Sequence, residues 1–170
     1  MADTFTQTET DSSIFDDGAF DGFARAQVSM VLTNPHLEDN PIVYVNDAFT
    51  RTTGYARSAT IGRNCRFLQG EDTEKDAVDI LRAAIAQEQN MAVDILNYKA
   101  NGAPFMNRLI VSPIKDNTGT TQYYVGIQKE LRNGERDPSA EQVNEQLMEI
   151  QDRVHSDLSL IISMIRQQTA

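Results

Sequence analysis

The stretch Gly62-Arg63-Asn64-Cys65-Arg66-Phe67-Leu68-Gln69-Gly70 contains the only cysteine of this 170-residue chain. Asn64 and Arg66 flank the thiol, and Gln69 follows it four residues later. A lone cysteine is usually a small buried hydrophobe, and packing alone does not require such polar neighbours. Amides offer paired donors and acceptors, and a guanidinium offers a rigid fork of donors. This combination predicts a site for a planar heterocycle that carries a phosphate group.

Strand-like and helix-like segments surround this stretch on both sides. Asn46 is predicted to cap a short helix that ends at Gly54, and Asp72 or Thr73 to cap a longer helix that ends at Glu88. Asn101-Gly102 and Asp116–Gly119 are typical hairpin turns. Five strands are predicted, two before the cysteine and three after it: Gln27–Thr33, Pro41–Val45, Met91–Lys99, Pro104–Ile114 and Thr121–Lys129.

This order of elements resembles that of PAS domains. It predicts an α+β fold, with a five-stranded antiparallel sheet that carries helices on one face and has helical extensions at both ends. The cysteine stretch itself resembles the signature of LOV domains, the flavin-binding blue-light sensors within the PAS fold, and the resemblance extends over Val28–Lys129. It implies that Cys65 forms a reversible covalent bond to a flavin ring carbon after light absorption.

The resemblance also implies a set of cofactor-binding residues. Arg66 and Arg82 match the family's phosphate clamp, where charge-assisted bonds suit guanidinium groups. These arginines favour FMN over FAD as the cofactor. The amides that match the family's readers of the ring edge are Asn64, Gln69, Asn97, Asn107 and Gln128. The residues that match positions packing the ring and its ribityl chain are Thr33, Asn40, Ile42, Val78, Ile85, Leu96, Leu109, Val111 and Gly126.

Gln128 matches the family's signal-relaying amide. When the adduct forms, the flavin nitrogen facing this amide changes from acceptor to donor, and an amide can offer either its oxygen or its nitrogen. Two positions depart from the family. Met106 replaces the usual Trp before Asn107, and Leu109 replaces the usual Phe. Because apolar packing around the adduct governs its lifetime, these departures leave the rate of dark recovery open.

Five regions are predicted along the chain. Residues 1–13 form a polar disordered tail, 14–27 an N-terminal helical cap, 28–130 the LOV domain, 131–140 a linker and 141–168 a C-terminal helix. Asp157 interrupts the heptad pattern of this last helix, whose wide apolar surface requires a partner. We therefore expect a homodimer through the flanking helices. The apolar residues spaced by threes and fours, as in a coiled coil or bundle, are Val143, Leu147, Ile150, Val154, Leu158, Ile161 and Ile165.

The helix around Val154 resembles the phosphoacceptor helix of a histidine-kinase subfamily. Asp152 stands at the position of the phosphorylated His, and His155 stands at the position of a Lys. The sequence ends at Ala170 without an ATP-binding domain. We therefore expect that the chain is not an enzyme, and that it acts on a separate histidine kinase or response-regulator protein.

Composition excludes several other classes. The formal net charge of −10 and a pI near 4.6 argue against nucleic-acid partners and anionic membrane surfaces, which need concentrated Lys and Arg. One cysteine allows no internal disulfide and disfavours a cysteine-built metal site. No basic-then-apolar leader and no apolar run of ~20 residues is present, so a cytoplasmic protein is expected.

Two other functions remain open. A flavin redox sensor would signal by reduction of its bound FMN and would survive Cys65→Ala, whereas adduct formation would not. A light-independent PAS interaction module would regulate a histidine kinase equally in the dark and in the light. An FMN-dependent enzyme is disfavoured, because no acid, base or substrate cleft is evident beyond the flavin-binding set.

Overall fold

Five antiparallel strands form one sheet in the computed structural model, which describes residues 29–132. The order across the sheet is β2-β1-β5-β4-β3, so the first and last strands are neighbours at its centre. The predicted antiparallel sheet is confirmed, and the strand limits that can be compared agree with the predicted ones within two residues. Gln27 and Val28, the predicted start of the first strand, lie outside the described residues. The strands are β1 Ser29–Thr33, β2 Ile42–Val45, β3 Met91–Tyr98, β4 Pro104–Lys115 and β5 Thr121–Leu131.

Several predicted regions lie outside the described residues. These are the tail 1–13, the N-terminal cap 14–27, residues 133–140 of the linker and the C-terminal helix 141–168. Among the helices within residues 29–132, none has both the length and the apolar composition needed to span a bilayer.

The segment between β2 and β3 runs from one edge of the sheet to the other. It contains α1 (Asp47–Thr53), α2 (Arg57–Thr60), a 3-10 helix (Cys65–Leu68) and α3 (Lys75–Ala86). At its start α1 contacts β1, and at its end α3 contacts β3. Because this segment must cross the sheet between those two contacts, the 3-10 helix with Cys65 is placed over the sheet face.

Asn46 fixes the beginning of this crossing. Its buried side-chain oxygen accepts hydrogen bonds from the backbone N–H of Phe49 (3.1 Å) and of Met30 (2.9 Å). The first bond caps α1 and the second ties that cap to β1. Gly54 ends the helix at φ 75°, a left-handed conformation that glycine adopts without steric cost. Both predicted helix limits are confirmed.

The predicted limits of α3 were wrong. The helix begins at Lys75 after Glu74, which makes no side-chain cap, and it ends at Ala86. Thr73, one of the two predicted caps, instead accepts from the N–H of Gly70 (2.9 Å) and donates to the carbonyl of Leu96 (2.7 Å). The Thr73 hydroxyl therefore bonds to β3 and does not cap α3.

Alternation along the strands separates two buried faces of the sheet. The face toward the crossing segment carries residues paired in register, among them Val31 opposite Gly126 and Thr33 opposite Tyr124. Leu109 lies opposite Gln128 on the other side of β5. The side chains on the opposite face are buried and apolar: Met30, Leu32, Ile110, Val125 and Ile127.

We expect Asn46→Ala to lower the free energy of unfolding by about 2–3 kcal/mol, because it removes a helix cap and leaves the buried N–H of Met30 without this acceptor. Urea denaturation of the full chain measures this loss. Asn101→Ala is the matched control, since Asn101 caps an exposed turn through the N–H of Ala103. Equal effects of the two substitutions would contradict the role assigned to Asn46.

Candidate functional site

A cavity lies between the crossing segment and the inner face of the sheet. Its volume is about 700 Å³ including its opening to solvent, within the range of small-molecule sites in proteins. Cys65 and its polar neighbours line one side, and side chains of β1, β3, β4 and β5 line the other. The complete lining is Val31, Thr33, Asn40, Asn64, Cys65, Arg66, Leu68, Gln69, Leu81, Ile85, Ile95, Asn97, Leu109, Val111, Tyr124, Gly126 and Gln128.

Asn64 shapes the turn that presents the thiol. Its side-chain oxygen accepts from the N–H of Arg66 (3.0 Å) and caps the 3-10 helix. Its side-chain nitrogen donates to the carbonyl of Asp39 (2.7 Å) in the loop between β1 and β2. Phe67 is held between the edge of Tyr55, at 5.0 Å between ring centroids, and the guanidinium of Arg63, at 4.3 Å from the ring centroid. These contacts orient the short helix.

Cys65 is a free, half-buried thiol that packs against the core cluster containing Phe49 and Leu68. Burial disfavours the charged thiolate and raises the pKa of Cys65 to about 12, although a backbone hydrogen bond lowers it in part. The thiol is therefore protonated at neutral pH and is a weak nucleophile in its resting state.

The sheet side of the cavity presents amides. Asn97 on β3 and Gln128 on β5 line the cavity directly, and both are buried. Asn107 on β4 lies behind them and donates its side-chain N–H to the side-chain oxygen of Asn97 (2.9 Å). The Gln128 oxygen accepts from the hydroxyl of Ser29 (3.2 Å), its register partner on β1. Asn107 therefore supports the lining through Asn97.

Within residues 29–132, four buried side-chain oxygens have no hydrogen-bond partner in that range. The hydroxyl of Thr121 lies outside the lining, and the other three lie in or beside it: the hydroxyl of Thr33 and the side-chain oxygens of Asn40 and Asn107. An unpaired buried acceptor costs roughly 1–3 kcal/mol, so native structures contain few of them. Their concentration around one cavity is typical of a site that a polar ligand completes.

In the part of the chain that the structure describes, Arg66 is the one charged residue of the lining. Its guanidinium forms an ion pair with the carboxylate of Asp39 at the cavity opening. Arg82, the second predicted phosphate ligand, lies outside the lining. Its side chain is 76% exposed and lies 3.9 Å from Asp79 one turn earlier on α3.

Most of the predicted binding residues are brought together. Those in the lining are Thr33, Asn40, Asn64, Cys65, Arg66, Gln69, Ile85, Asn97, Leu109, Val111, Gly126 and Gln128. Those outside it are Ile42 and Val78, which pack in neighbouring core clusters, Arg82, Leu96 and Asn107.

Five lining residues were missed from the sequence: Val31, Leu68, Leu81, Ile95 and Tyr124. The period of two along a strand would have found three of them. Tyr124 lies two residues before Gly126, Ile95 two before Asn97, and Val31 two before Thr33. Leu81 lies one helical turn before Ile85.

Tyr124 joins the sheet to α3. Its hydroxyl donates to the carbonyl of Ile85 (2.9 Å), near the C-terminal end of that helix. Burial raises the pKa of Tyr124, and the charge of Glu88 adds to this increase. The tyrosine is therefore a neutral donor at physiological pH, and its bond holds α3 against the cavity.

The chain is similar to known proteins in sequence and in structure. The PAS domain family matches residues 27–133. A blue-light-activated histidine kinase 2 of Erythrobacter litoralis is 40% identical over 150 residues, which cover 88% of this chain and 43% of the kinase. The chain spans less than half of the length of the curated kinases that it matches.

Solved structures show the same fold. The LOV domain of the E. litoralis EL346 blue-light activated histidine kinase is 42% identical with a TM-score of 0.61, covering 63% of this chain and 98% of that domain. The light-state dimer of the fungal blue-light photoreceptor Vivid is 32% identical with a TM-score of 0.60, covering 62% of this chain and 78% of Vivid.

We expect Cys65 to react slowly with iodoacetamide in the dark. The rise of the Cys65 pKa from the ordinary thiol value of 9.0 to about 12 lowers the thiolate fraction at pH 8 about a thousandfold. Since burial favours the protonated form, the rate should keep rising with pH above 9. Mass spectrometry measures the alkylated fraction, and the urea-unfolded chain is the control. Equal rates for folded and unfolded chains at pH 8 would contradict the assigned burial.

Proposed function

The chain belongs to the LOV branch of the PAS domain family, and on that premise we propose that it is a blue-light photoreceptor whose reactive group is Cys65. Bound FMN would supply light absorption and an electrophilic ring carbon beside a basic ring nitrogen. Cys65 would supply the sulfur that bonds reversibly to the ring and the proton that balances this addition. The observation that carries the proposal is the cavity that joins Cys65 and Arg66 to Asn97 on β3 and Gln128 on β5.

The polar atoms of the cavity fit a flavin. The unpaired oxygens of Thr33 and Asn40 and the amides of Asn97 and Gln128 supply both donors and acceptors. An isoalloxazine ring has alternating donors and acceptors along its pyrimidine edge, so amides are suitable partners. Among the charged side chains of residues 29–132, Arg66 alone enters the lining, as expected if one anionic group of the ligand lies at that end.

The shape of the cavity also fits a flat ring. At Gly126 an added Cβ would lie 3.0 Å from Val31 Cγ2 and 3.5 Å from Leu109 Cδ1. Because Gly126 has no side chain, nothing projects from the sheet into the cavity at this position. Apolar side chains of Ile85, Leu109 and Val111 surround the space and exclude water from the reacting thiol.

We assign the predicted residues to the cofactor as follows. Arg66 binds the phosphate, Asn64, Gln69, Asn97 and Gln128 bind polar edges of the flavin, and Asn107 positions Asn97 through their hydrogen bond. Arg82 is assigned to the phosphate by the family resemblance alone.

The high pKa of Cys65 suits a light-driven reaction. Its sulfur keeps its proton at neutral pH, so the proton is available at the site where the carbon–sulfur bond forms. A thiol in this state does not attack in the dark, and the resting receptor persists until light arrives.

Gln128 is positioned to carry the change outward. Its amide lies in the lining, and its oxygen is bonded to Ser29 at the start of β1. A rotation of the amide would bring its nitrogen to Ser29, whose hydroxyl can accept as well as donate. Such a rotation would alter the hydrogen bond between β1 and β5, the strands from which both flanking segments continue.

We assign the output to a homodimer formed by the flanking segments, which acts on a separate histidine kinase or response-regulator protein. The relatives support this assignment, because they include blue-light-activated histidine kinases and a light-state dimer. Asp152 stands where the phosphorylated histidine of a kinase would be, so phosphotransfer is assigned to another chain.

We expect the purified chain to show a flavin absorption band that bleaches under blue light and returns in the dark. Cys65→Ala should keep the band and lose the bleaching, because it removes only the bonding sulfur. Difference absorption spectroscopy measures both changes. A chain that binds flavin without bleaching favours the redox sensor, and a chain that binds no flavin leaves the light-independent PAS module.

We expect blue light to change the dimer dissociation constant by about 5- to 150-fold, the range of coupling between two sites in one protein. Size-exclusion chromatography with light scattering measures it in the dark and under illumination. Gln128→Leu should retain bleaching but lose most of this change. Gln122→Leu is the matched control, because Gln122 lies on the same strand outside the lining and bonds to Asp116. A light-induced change that survives Gln128→Leu would contradict the relay.

A further inference from the structure

The cavity opening carries one acidic residue whose position the backbone fixes. Asp39 adopts φ 66° and Asn40 adopts φ 47°, two consecutive left-handed residues that turn the β1–β2 loop toward the cavity. The carbonyl of Asp39 accepts from Asn64 at 2.7 Å, and Asn34 and Pro41 close the loop through a backbone bond of 3.0 Å.

The carboxylate of Asp39 pairs with Arg66, the one cation that residues 29–132 contribute to the cavity lining. Its Oδ2 contacts Nη2 of Arg66, and both side chains are about half exposed, at 54% and 58%. A single guanidinium nitrogen makes the contact, which leaves the other Arg66 donors available to a ligand. Asp39 itself does not line the cavity.

We infer that Asp39 is a specificity-determining residue, which weakens the preference of the cavity for phosphorylated flavins over riboflavin. This inference rests on the proposed function and refines the role of Arg66. A phosphate monoester carries about −1.5 to −2 charges at pH 7, and it must approach an arginine whose charge Asp39 already offsets. Riboflavin lacks the phosphate and does not experience this opposition.

The charge of Asp39 can be removed without a change in its backbone conformation. Asn tolerates the left-handed conformation as well as Asp does, so Asp39→Asn removes the charge without backbone strain. The carbonyl that Asn64 uses is unchanged. Asp94→Asn is the matched control, because Asp94 also pairs with an arginine, Arg108, and neither residue lines the cavity or is assigned to the cofactor.

The experiment titrates FMN and riboflavin into the full chain stripped of flavin, in the dark, and follows the quenching of flavin fluorescence. We expect Asp39→Asn to tighten FMN binding about two- to fivefold at low ionic strength, as for one exposed charge interaction. Riboflavin affinity should stay within about twofold, and 0.5 M salt should reduce the gain, since the Debye length is then only a few ångströms. Asp94→Asn should change the affinity for neither ligand.

A double-mutant cycle that combines Asp39→Asn with Arg66→Gln measures how much of the effect of Asp39 on flavin binding acts through Arg66. In the Arg66→Gln background, Asp39→Asn should shift the FMN-to-riboflavin affinity ratio less than in the wild type, because only the direct repulsion between Asp39 and the phosphate is then removed. Weaker FMN binding in Asp39→Asn, an unchanged ratio, or equal tightening of both ligands would each overturn the inference. If the wild-type chain binds neither flavin, the proposed function fails first and this inference falls with it.

Discussion

Two backbone hydrogen bonds set the geometry on which the site depends. Ile42, at the start of β2, donates its N–H to the carbonyl of Arg63 and accepts from the N–H of Gly62, both at 2.8 Å. They attach the cysteine stretch to the sheet edge as if it were a short extra strand. Because the chain then turns through the 3-10 helix, Cys65 faces the inner side of the sheet. The β1–β2 loop that precedes Ile42 is held at the same place, and this brings Asp39 beside Arg66.

The cavity combines features that are unfavourable for folding alone. Unpaired oxygens on Thr33, Asn40 and Asn107 lower stability relative to an apolar core of the same shape. Departures of this kind from local consistency tend to concentrate at functional sites. The surrounding apolar clusters, centred on Phe49 on one side and Tyr124 on the other, supply the packing that keeps the cavity walls in place.

Hydrogen bonds connect the cavity to the first and last strands. Ser29 and Gln128 are register partners at the centre of the sheet and share a side-chain bond, and Asn46 links β1 to the crossing segment. A change in the hydrogen bonding of the Gln128 amide would therefore affect β1 directly, without an intervening loop. The antiparallel pairing of β1 with β5 makes this possible, because it places the start of one strand beside the later part of the other.

The sequence by itself determined the elements and most of the cavity lining. Periodicity and turn residues placed the strands, Asn46 and Gly54 bounded α1, and the resemblance to LOV domains identified twelve residues of the lining, because these signals are local or carried by motif register. Only the tertiary structure decided which partners the polar groups choose. Thr73 bonds to β3 rather than capping α3, Arg82 turns from the cavity, Asn107 supports Asn97, and Asp39 meets Arg66. Each of these contacts joins residues whose competition for a donor or a charge depends on distances in space, which sequence spacing does not contain.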